Sequence, residues 1–110
     1  MNENVIRHLR DVLGLEPDEI SDIYGIFQRS LSECLGALRA ASDPVDFRAI
    51  RAATHTLMGF ARNAGAADLG EAAHALNAAA HAADADACLL GIREIETLAG
   101  AYRDAAPPQP

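Results

Sequence analysis

The chain has 110 residues, of which 50% are hydrophobic and 23% charged, a balance typical of one globular domain and too short for two ordinary cores. Alanine dominates the apolar share and aromatic residues amount to only 5%, so the composition favours an all-α protein. The net charge of −7 argues against nucleic acid as a partner, because phosphate backbones attract basic surfaces.

Five helices are predicted in chain order from apolar residues at helical spacing. Gly14 ends the first helix, and Pro17 suits the first turn of the second. The sequence SDP at 42–44 predicts the start of the third helix, and Gly65 is placed to take the left-handed turn after it. The predicted bounds are 3–14, 18–41, 44–63, 67–82 and 84–104.

The predicted helices carry apolar stripes that should face a common core. In the first helix the inward residues are Val5, Ile6, Leu9, Val12 and Leu13. In the second they are Ile20, Ile23, Tyr24, Phe27, Leu31, Cys34, Leu38 and Ala41, and in the third they are Ile50, Ala53, Leu57, Ala61 and Ala64. This pattern predicts an all-α fold, an antiparallel four-helix bundle with an additional short N-terminal helix as a lid on one end. The bundle should span residues 1–104, and the tail at 105–110 is predicted to be disordered.

Export and membrane insertion are not expected for this sequence. No apolar run approaches the roughly 20 residues that a spanning helix needs, and the first residues do not resemble a signal peptide. Cys34 and Cys88 fall in register with apolar neighbours, which favours two core thiols over a disulfide or a metal role. These features predict a cytoplasmic protein without a membrane partner.

The third helix carries one histidine, His55, nearly opposite its apolar stripe. At ~100° per residue, the residues that share its face are Arg48, Arg51, Gly59 and Arg62, with Met58 at the edge. A neutral imidazole is a nucleophile, and nearby arginines favour that neutral form and attract phosphoryl groups. Because a helical glycine costs roughly 0.8–1 kcal/mol relative to alanine, Gly59 suggests that another molecule must come close. A solvated surface histidine is the alternative that these residues leave open.

The other histidines lack such an arrangement. His74 and His81 lie on the fourth helix about 10 Å apart along its axis, too far to share a metal ion without further ligands. His8 has no companion at ligand spacing. No metal site is therefore predicted, and no catalytic triad or nucleotide-binding loop can be assembled from the sequence.

The segment ATHTLMGFARNAGAADLGEAAHAL, residues 53–76, resembles the histidine-containing phosphotransfer (HPt) domain family. That family has approximately the motif H-x-L-K-G, followed by a second glycine and then by a leucine on the next helix. The matching positions here are His55, Leu57, Gly59, Gly65 and Leu69. Size, helical pattern and the exposed histidine in mid-bundle also agree, so the resemblance extends over nearly the whole chain.

The resemblance implies an intermediate in a multistep phosphorelay. His55 would accept a phosphoryl group from an aspartate in the receiver domain of a hybrid histidine kinase and pass it to a response regulator. The family has no kinase activity of its own, so the chain would be a stoichiometric carrier and not an enzyme. No cofactor is expected on this chain, since the Mg²⁺ ion belongs to the partner receiver domain. Gly59 would make room for the phosphorylated ring.

Met58 departs from the family motif, which usually has lysine at this position. Methionine cannot make a charged contact with a phosphoryl oxygen, so we expect Arg62 or Arg51 to supply the charge and Met58 to offer the receiver an apolar contact. Slow transfer, or a degenerate domain, is the alternative consequence of this substitution.

The partner surface is expected to surround His55 and to include an exposed part of the second helix. Ile26 lies off the core stripe of that helix and would form a small apolar docking patch with Met58, unless it packs under the N-terminal helix. Phe60 lies near the edge of the buried stripe, where core packing is favoured over docking. Arg48 would contribute the electrostatic part of the contact.

Three functions are consistent with the sequence. The first is phosphotransfer through His55. The second is a non-phosphorylated adaptor or inhibitor that docks a histidine kinase or a receiver domain, which the substitution at Met58 favours. The third is a structural helical bundle with an incidental surface histidine. A monomer is the default expectation, and the alanine-rich surface leaves a dimer open.

Overall fold

A computed structural model describes residues 2–103, which contain no extended strand. The helices are α1 (Glu3–Arg7), α2 (Pro17–Ala40), α3 (Phe47–Ala64), α4 (Ala67–His81) and α5 (Ala85–Arg103). Along the chain each of the four long helices packs on the next, and α5 packs back on α2. The predicted all-α four-helix bundle is therefore confirmed, whereas the tail predicted to be disordered lies outside the described residues. Among residues 2–103, no helix has the length and apolar character that crossing a membrane requires.

The N-terminal helix prediction is wrong in its second half. After α1, the segment His8–Val12 forms a π-helical turn, in which the Leu13 N–H donates to the His8 carbonyl at 3.2 Å. A π turn holds more residues than an α turn, so the side chains that follow it rotate away from their α-helical positions. Leu9 stays buried, but Val12 and Leu13, both predicted to face the core, are 67% and 51% exposed.

The N-terminal segment is held on the end of the bundle by burial and by a chain of hydrogen bonds. Val5 and Leu9 are both buried in the core. The Asn2 backbone N–H donates to the Tyr24 hydroxyl at 3.1 Å, and that hydroxyl donates to the Tyr102 carbonyl at 3.3 Å. The segment therefore covers the bundle end at which Tyr24 links α2 to α5, as the lid prediction expected.

The start of α3 differs from the prediction. The helix begins at residue 47 rather than at Pro44, because the Asp46 side chain accepts the N–H of Ala49 at 3.1 Å and so caps the first turn. The residues expected to start the helix lie instead in a tight turn, where Ser42 pairs with Val45 in an isolated antiparallel bridge. The polar residue closest to the helix thus caps it.

The core prediction holds for α3 and needs one correction in α2. Every predicted inward residue of α3 is buried. Ile23 of α2 was predicted to face the core but is 39% exposed, because the neighbouring Tyr24 fills the inward position of that turn and packs edge-on to Phe27 with ring centroids 5.9 Å apart. Leu35, which the stripe omitted, is buried.

The two cysteines are core residues, as predicted. Cys34 on α2 and Cys88 on α5 are both buried and present as free thiols. Burial raises the pKa of each thiol, and the carboxylates of Glu33 and Asp84 raise it further for Cys34 and Cys88 respectively. Both side chains therefore stay protonated at neutral pH and act as small apolar groups.

Gly65 joins α3 to α4 in the left-handed conformation that the sequence predicts, with φ of 78°. The N–H of Ala66 donates to the carbonyl of Ala61 at 2.8 Å and closes the helix end. A Cβ built at Gly65 would overlap the Cβ and Cγ atoms of His8. Glycine is therefore required at this position for two reasons. Its backbone is left-handed, and the His8 side chain packs directly against it.

We predict that Gly65→Ala destabilises the bundle. The left-handed backbone alone costs a side-chain-bearing residue about 1–2 kcal/mol, and the overlap with His8 adds to this cost. Urea unfolding should show the loss, with Gly36→Ala on α2 as the control. A Cβ at Gly36 would meet nothing within 4 Å, so that variant should gain about 0.8–1 kcal/mol. Equal shifts in the two variants would contradict the assigned role of Gly65.

Candidate functional site

His55 lies in the middle of α3 with its side chain exposed, as the helix phase predicts. The opposite side of the helix is pinned into the core by fully buried residues, among them Ile50, Leu57 and Ala61. A stripe of this kind fixes how far the helix can rotate about its axis. The imidazole is therefore held towards the exterior, where a second protein can reach it.

Thr54, beside His55, is a buried polar residue that the sequence pattern did not reveal. It is 0% exposed, and its hydroxyl lies 3.0 Å from the Arg51 carbonyl and 3.0 Å from the side-chain oxygen of Asn77 on α4. A hydroxyl has one proton, so it can donate to only one of these groups at a time. If it donates to the Arg51 carbonyl, the Asn77 side-chain amide can be rotated by about 180° so that its NH2 group donates to the Thr54 hydroxyl. The pair links α3 to α4 next to His55.

The surface over His55 is left open by Gly59, one turn further along α3. Helical side chains lean towards the N-terminus of their helix, so a side chain at position 59 would cover the surface next to His55. A Cβ built at Gly59 would meet nothing within 4 Å. Packing within the described residues gives no reason for glycine here, in contrast to Gly65.

Helix geometry directs the side chains of Met58 and Arg62 towards the preceding turn of α3, on the side that faces α4. Met58 is half-buried and packs against the core. Arg62 is exposed, and its stem passes over Gly70 of α4, where a built Cβ would lie 3.5 Å from the Arg62 Cγ. Beside it is a hollow of about 290 Å³ that Glu71 and His74 also line.

Arg51 points in the other direction, towards the C-terminal end of α4. Its Nη1 atom lies 3.4 Å from Nδ1 of His81. Because arginine can only donate, a hydrogen bond here has the His81 Nδ1 atom as its acceptor. His81 is exposed, and nothing in the sequence indicated its contact with Arg51. Arg48 is exposed in the first turn of α3, and neither it nor Arg62 has an ion-pair or hydrogen-bond partner among residues 2–103.

The predicted apolar docking patch is divided between two sides of α3. Phe60 packs edge-on to Phe27, with ring centroids 5.6 Å apart, in agreement with the expected core role. Ile26 is 53% exposed and lines a hollow of about 360 Å³ between α2, α3 and the N-terminal segment. Met58 shares the side of α3 that carries the Thr54–Asn77 contact and does not line that hollow. Ile26 and Met58 therefore flank the helix and do not form one patch.

The arrangement suits acceptance of a phosphoryl group from a second molecule. An exposed imidazole is a nucleophile, Arg62 and Arg48 supply unpaired positive charge, and Gly59 leaves the approach open. Residues 2–103 contain no group of three or more His, Cys, Asp or Glu side chains that could hold a metal ion.

Comparison with known proteins agrees with this geometry. No curated protein and no solved structure matches the chain. The family model described as the Hpt domain matches residues 22–105, a span that begins within α2 and includes all of α3, α4 and α5. Members of this family take part in phosphotransfer within the phosphorelays of two-component signalling and interact with receiver domains. With an exposed histidine in the middle of a four-helix bundle and a family match over most of its length, this chain belongs to the Hpt domain family.

Proposed function

We propose that this protein is the histidine phosphotransfer intermediate of a multistep phosphorelay and that His55 is its phosphoacceptor. The observation that carries the proposal is the exposed imidazole in mid-α3 with an uncovered surface beside it at Gly59. The two partners would be the receiver domain of a hybrid histidine kinase and that of a response regulator, in the cytoplasm.

In the proposed step, a neutral ring nitrogen of His55 attacks the phosphorus atom of the aspartyl phosphate on the first receiver. The N–P bond forms while the P–O bond to the aspartate breaks, and the carboxylate leaves with the electron pair. The second ring nitrogen of His55 keeps its proton. In the following step the aspartate of the second receiver attacks the same phosphorus, and the histidine leaves as neutral imidazole.

We assign the charged contact to the phosphoryl oxygens to Arg62, with Arg51 second. Met58 stands where the family usually has lysine and carries no charge. Arg62 follows His55 on α3, where helix geometry directs its side chain back along the helix, and it has no polar partner among the described residues, whereas Arg51 lies 3.4 Å from His81. Charged hydrogen bonds to a developing anion are among the stronger polar contacts, so an arginine free to turn is the better candidate.

The protein would act as a stoichiometric carrier without kinase activity. The Mg²⁺ ion required for the aspartyl chemistry would be bound by the receiver domain, and this chain would contribute the nucleophile, the positive charge and the docking surface. We expect a monomer.

A second candidate function is an adaptor that docks a receiver domain or a histidine kinase without being phosphorylated. The observation that favours it is Met58, which packs against the core and leaves its position on the His55 face without a charge. Labelling and binding measured on the same sample separate the two functions.

We predict that His55→Gln abolishes phosphoryl transfer. Wild-type protein incubated with a phosphorylated receiver domain should acquire an acid-labile, base-stable label, since that stability is characteristic of phosphohistidine. The matched control is His74→Gln, which changes an exposed histidine on α4 and should label like the wild type. Binding without label would support the adaptor, and neither binding nor label would leave only a structural role.

We also predict that Arg62→Ala slows labelling by about tenfold or more, the consequence of losing one charged hydrogen bond in the transition state. Arg62→Lys should restore part of the rate, and Arg51→Ala should have a smaller effect. Arg93→Ala, on the exposed surface of α5, is the control for lost charge. If neither Arg62→Ala nor Arg51→Ala alters the labelling rate, neither arginine replaces the usual lysine.

Gly59→Ala should affect stability and transfer in opposite directions. Alanine is the better helix former, so the free energy of unfolding should rise by about 0.8–1 kcal/mol. The new methyl group would stand between His55 and the incoming receiver, and a displacement of this size should slow labelling by about tenfold or more. Gly36→Ala, with the same helix effect but on α2, should keep the wild-type rate. An unchanged rate in Gly59→Ala would show that the open surface is not needed.

A further inference from the structure

The contact between Arg51 and His81 is one of three side-chain contacts that join α3 to α4 in antiparallel register. Along α3 from its end to its start, Arg62 passes over Gly70, Thr54 meets Asn77, and Arg51 meets His81. The first contact is the packing of an aliphatic stem, and the second is a buried hydrogen bond. Only the third joins two side chains that can carry positive charge, and the proposed transfer gives His81 no part.

The donor and the acceptor of this contact follow from the chemistry of the two side chains. Nη1 of Arg51 lies 3.4 Å from Nδ1 of His81, and arginine has no acceptor atom. A protonated imidazole carries a proton on both nitrogens, so a hydrogen bond forms here only with a neutral ring. Within residues 2–103 neither side chain has another polar partner. The position of the Arg51 guanidinium therefore depends on His81.

His81 draws Arg51 away from His55, which an unrestrained Arg51 could reach. Arg51 and His55 are four residues apart on α3, and such positions are neighbours on a helix surface. Helix geometry directs the His55 ring towards the preceding turn, which carries Arg51. Asn77 lies level with Thr54, so His81, four residues later on the antiparallel helix, lies about 6 Å nearer the start of α3. The contact therefore holds the guanidinium on the far side of this turn.

A second arginine on the phosphorylated ring would alter the balance between the two transfers. A charged hydrogen bond to the phosphoryl oxygens would stabilise phosphohistidine relative to the aspartyl phosphate. The first transfer would become more favourable, and the second would become less favourable by the same factor because it starts from phosphohistidine. A carrier that must both accept and release the group therefore needs a limit on the positive charge that contacts it.

We infer that His81 is a positioning residue that holds Arg51 away from His55 and so keeps the phosphoryl group weakly bound on this chain. Arg62 is then the arginine that contacts the group, and Arg51 contributes little while His81 holds it. The inference rests on the proposed function, since it names what sets the balance between the two transfers at the same histidine.

The test is a double-mutant cycle of Arg51→Ala and His81→Ala on the full chain. The measured quantity is the equilibrium constant for moving the phosphoryl group from a receiver aspartate to His55, taken from the fraction of label on each protein. His81→Asn is the conservative variant, because its side-chain oxygen can take the place of Nδ1. His74→Ala is the matched control, since His74 is exposed on the same helix and has no hydrogen-bond partner among residues 2–103.

Removal of Arg51 should lower this equilibrium constant about fivefold more in the His81→Ala background than in the wild type, because one hydrogen bond restrains Arg51. That factor corresponds to ~1 kcal/mol at 1.4 kcal/mol per factor of ten. His81→Ala alone should raise the constant, whereas His81→Asn and His74→Ala should match the wild type. If His81→Ala changes the constant equally with and without Arg51, His81 does not act through Arg51 and the inference is overturned.

Nitrogen NMR of the unphosphorylated chain supplies a second readout that does not depend on transfer. The inference predicts that Nδ1 of His81 carries no proton at neutral pH and that its signal shifts in Arg51→Ala. A proton on Nδ1, or a signal that does not respond to Arg51→Ala, would overturn the inference even if His55 is labelled normally. If the NMR signals are as expected but no receiver labels His55, the proposed function fails and the inference fails with it, so the two failures are distinguishable.

Discussion

The rotation of α3 about its own axis is fixed by burial on one side and by a polar contact with α4 at the edge. Leu57 and Ile50 are fully buried, and burying each such side chain contributes about 1.5–3 kcal/mol. Thr54 adds a hydrogen-bonded link to Asn77 that would be broken by any turn of the helix. A rotation by one residue, about 100°, would expose apolar side chains of the stripe and change the direction in which His55 faces. The packing of the core therefore fixes the orientation of the imidazole.

The direction in which helical side chains lean gives the His55 face its asymmetry. Positions one and two turns after His55 cover it, and these hold Gly59, Met58 and Arg62. Positions before it lean away, which is why Arg51 meets His81 near the other end of α4. Met58, Gly59, Arg62 and Arg51 lie close together on a helical wheel. Only the first three follow His55 in the chain, so only their positions are directed back along the helix towards it. This difference is the physical reason for placing Arg62 before Arg51.

Helical periodicity was enough to predict the four long helices, the exposure of His55 and the left-handed turn at Gly65, because each depends on local spacing or local backbone preference. Thr54 was missed because a polar residue in a buried position looks like solvent surface in a hydrophobic pattern. The π turn leaves no signal in residue spacing, so Leu13 was assigned to the core although it is 51% exposed. The contact of Arg51 with His81 depends on how α3 and α4 pack, which the sequence of neither helix determines alone.

Phosphotransfer through one particular histidine is tested most directly by phosphorus NMR on the full chain after incubation with a phosphorylated receiver domain. The chain has four histidines, so a correlation between phosphorus and ring protons must be assigned to one of them. The proposed function predicts a single phosphohistidine signal that correlates with the ring protons of His55. A signal on His8, His74 or His81, or a receiver that binds the chain without producing any phosphohistidine signal, would contradict it.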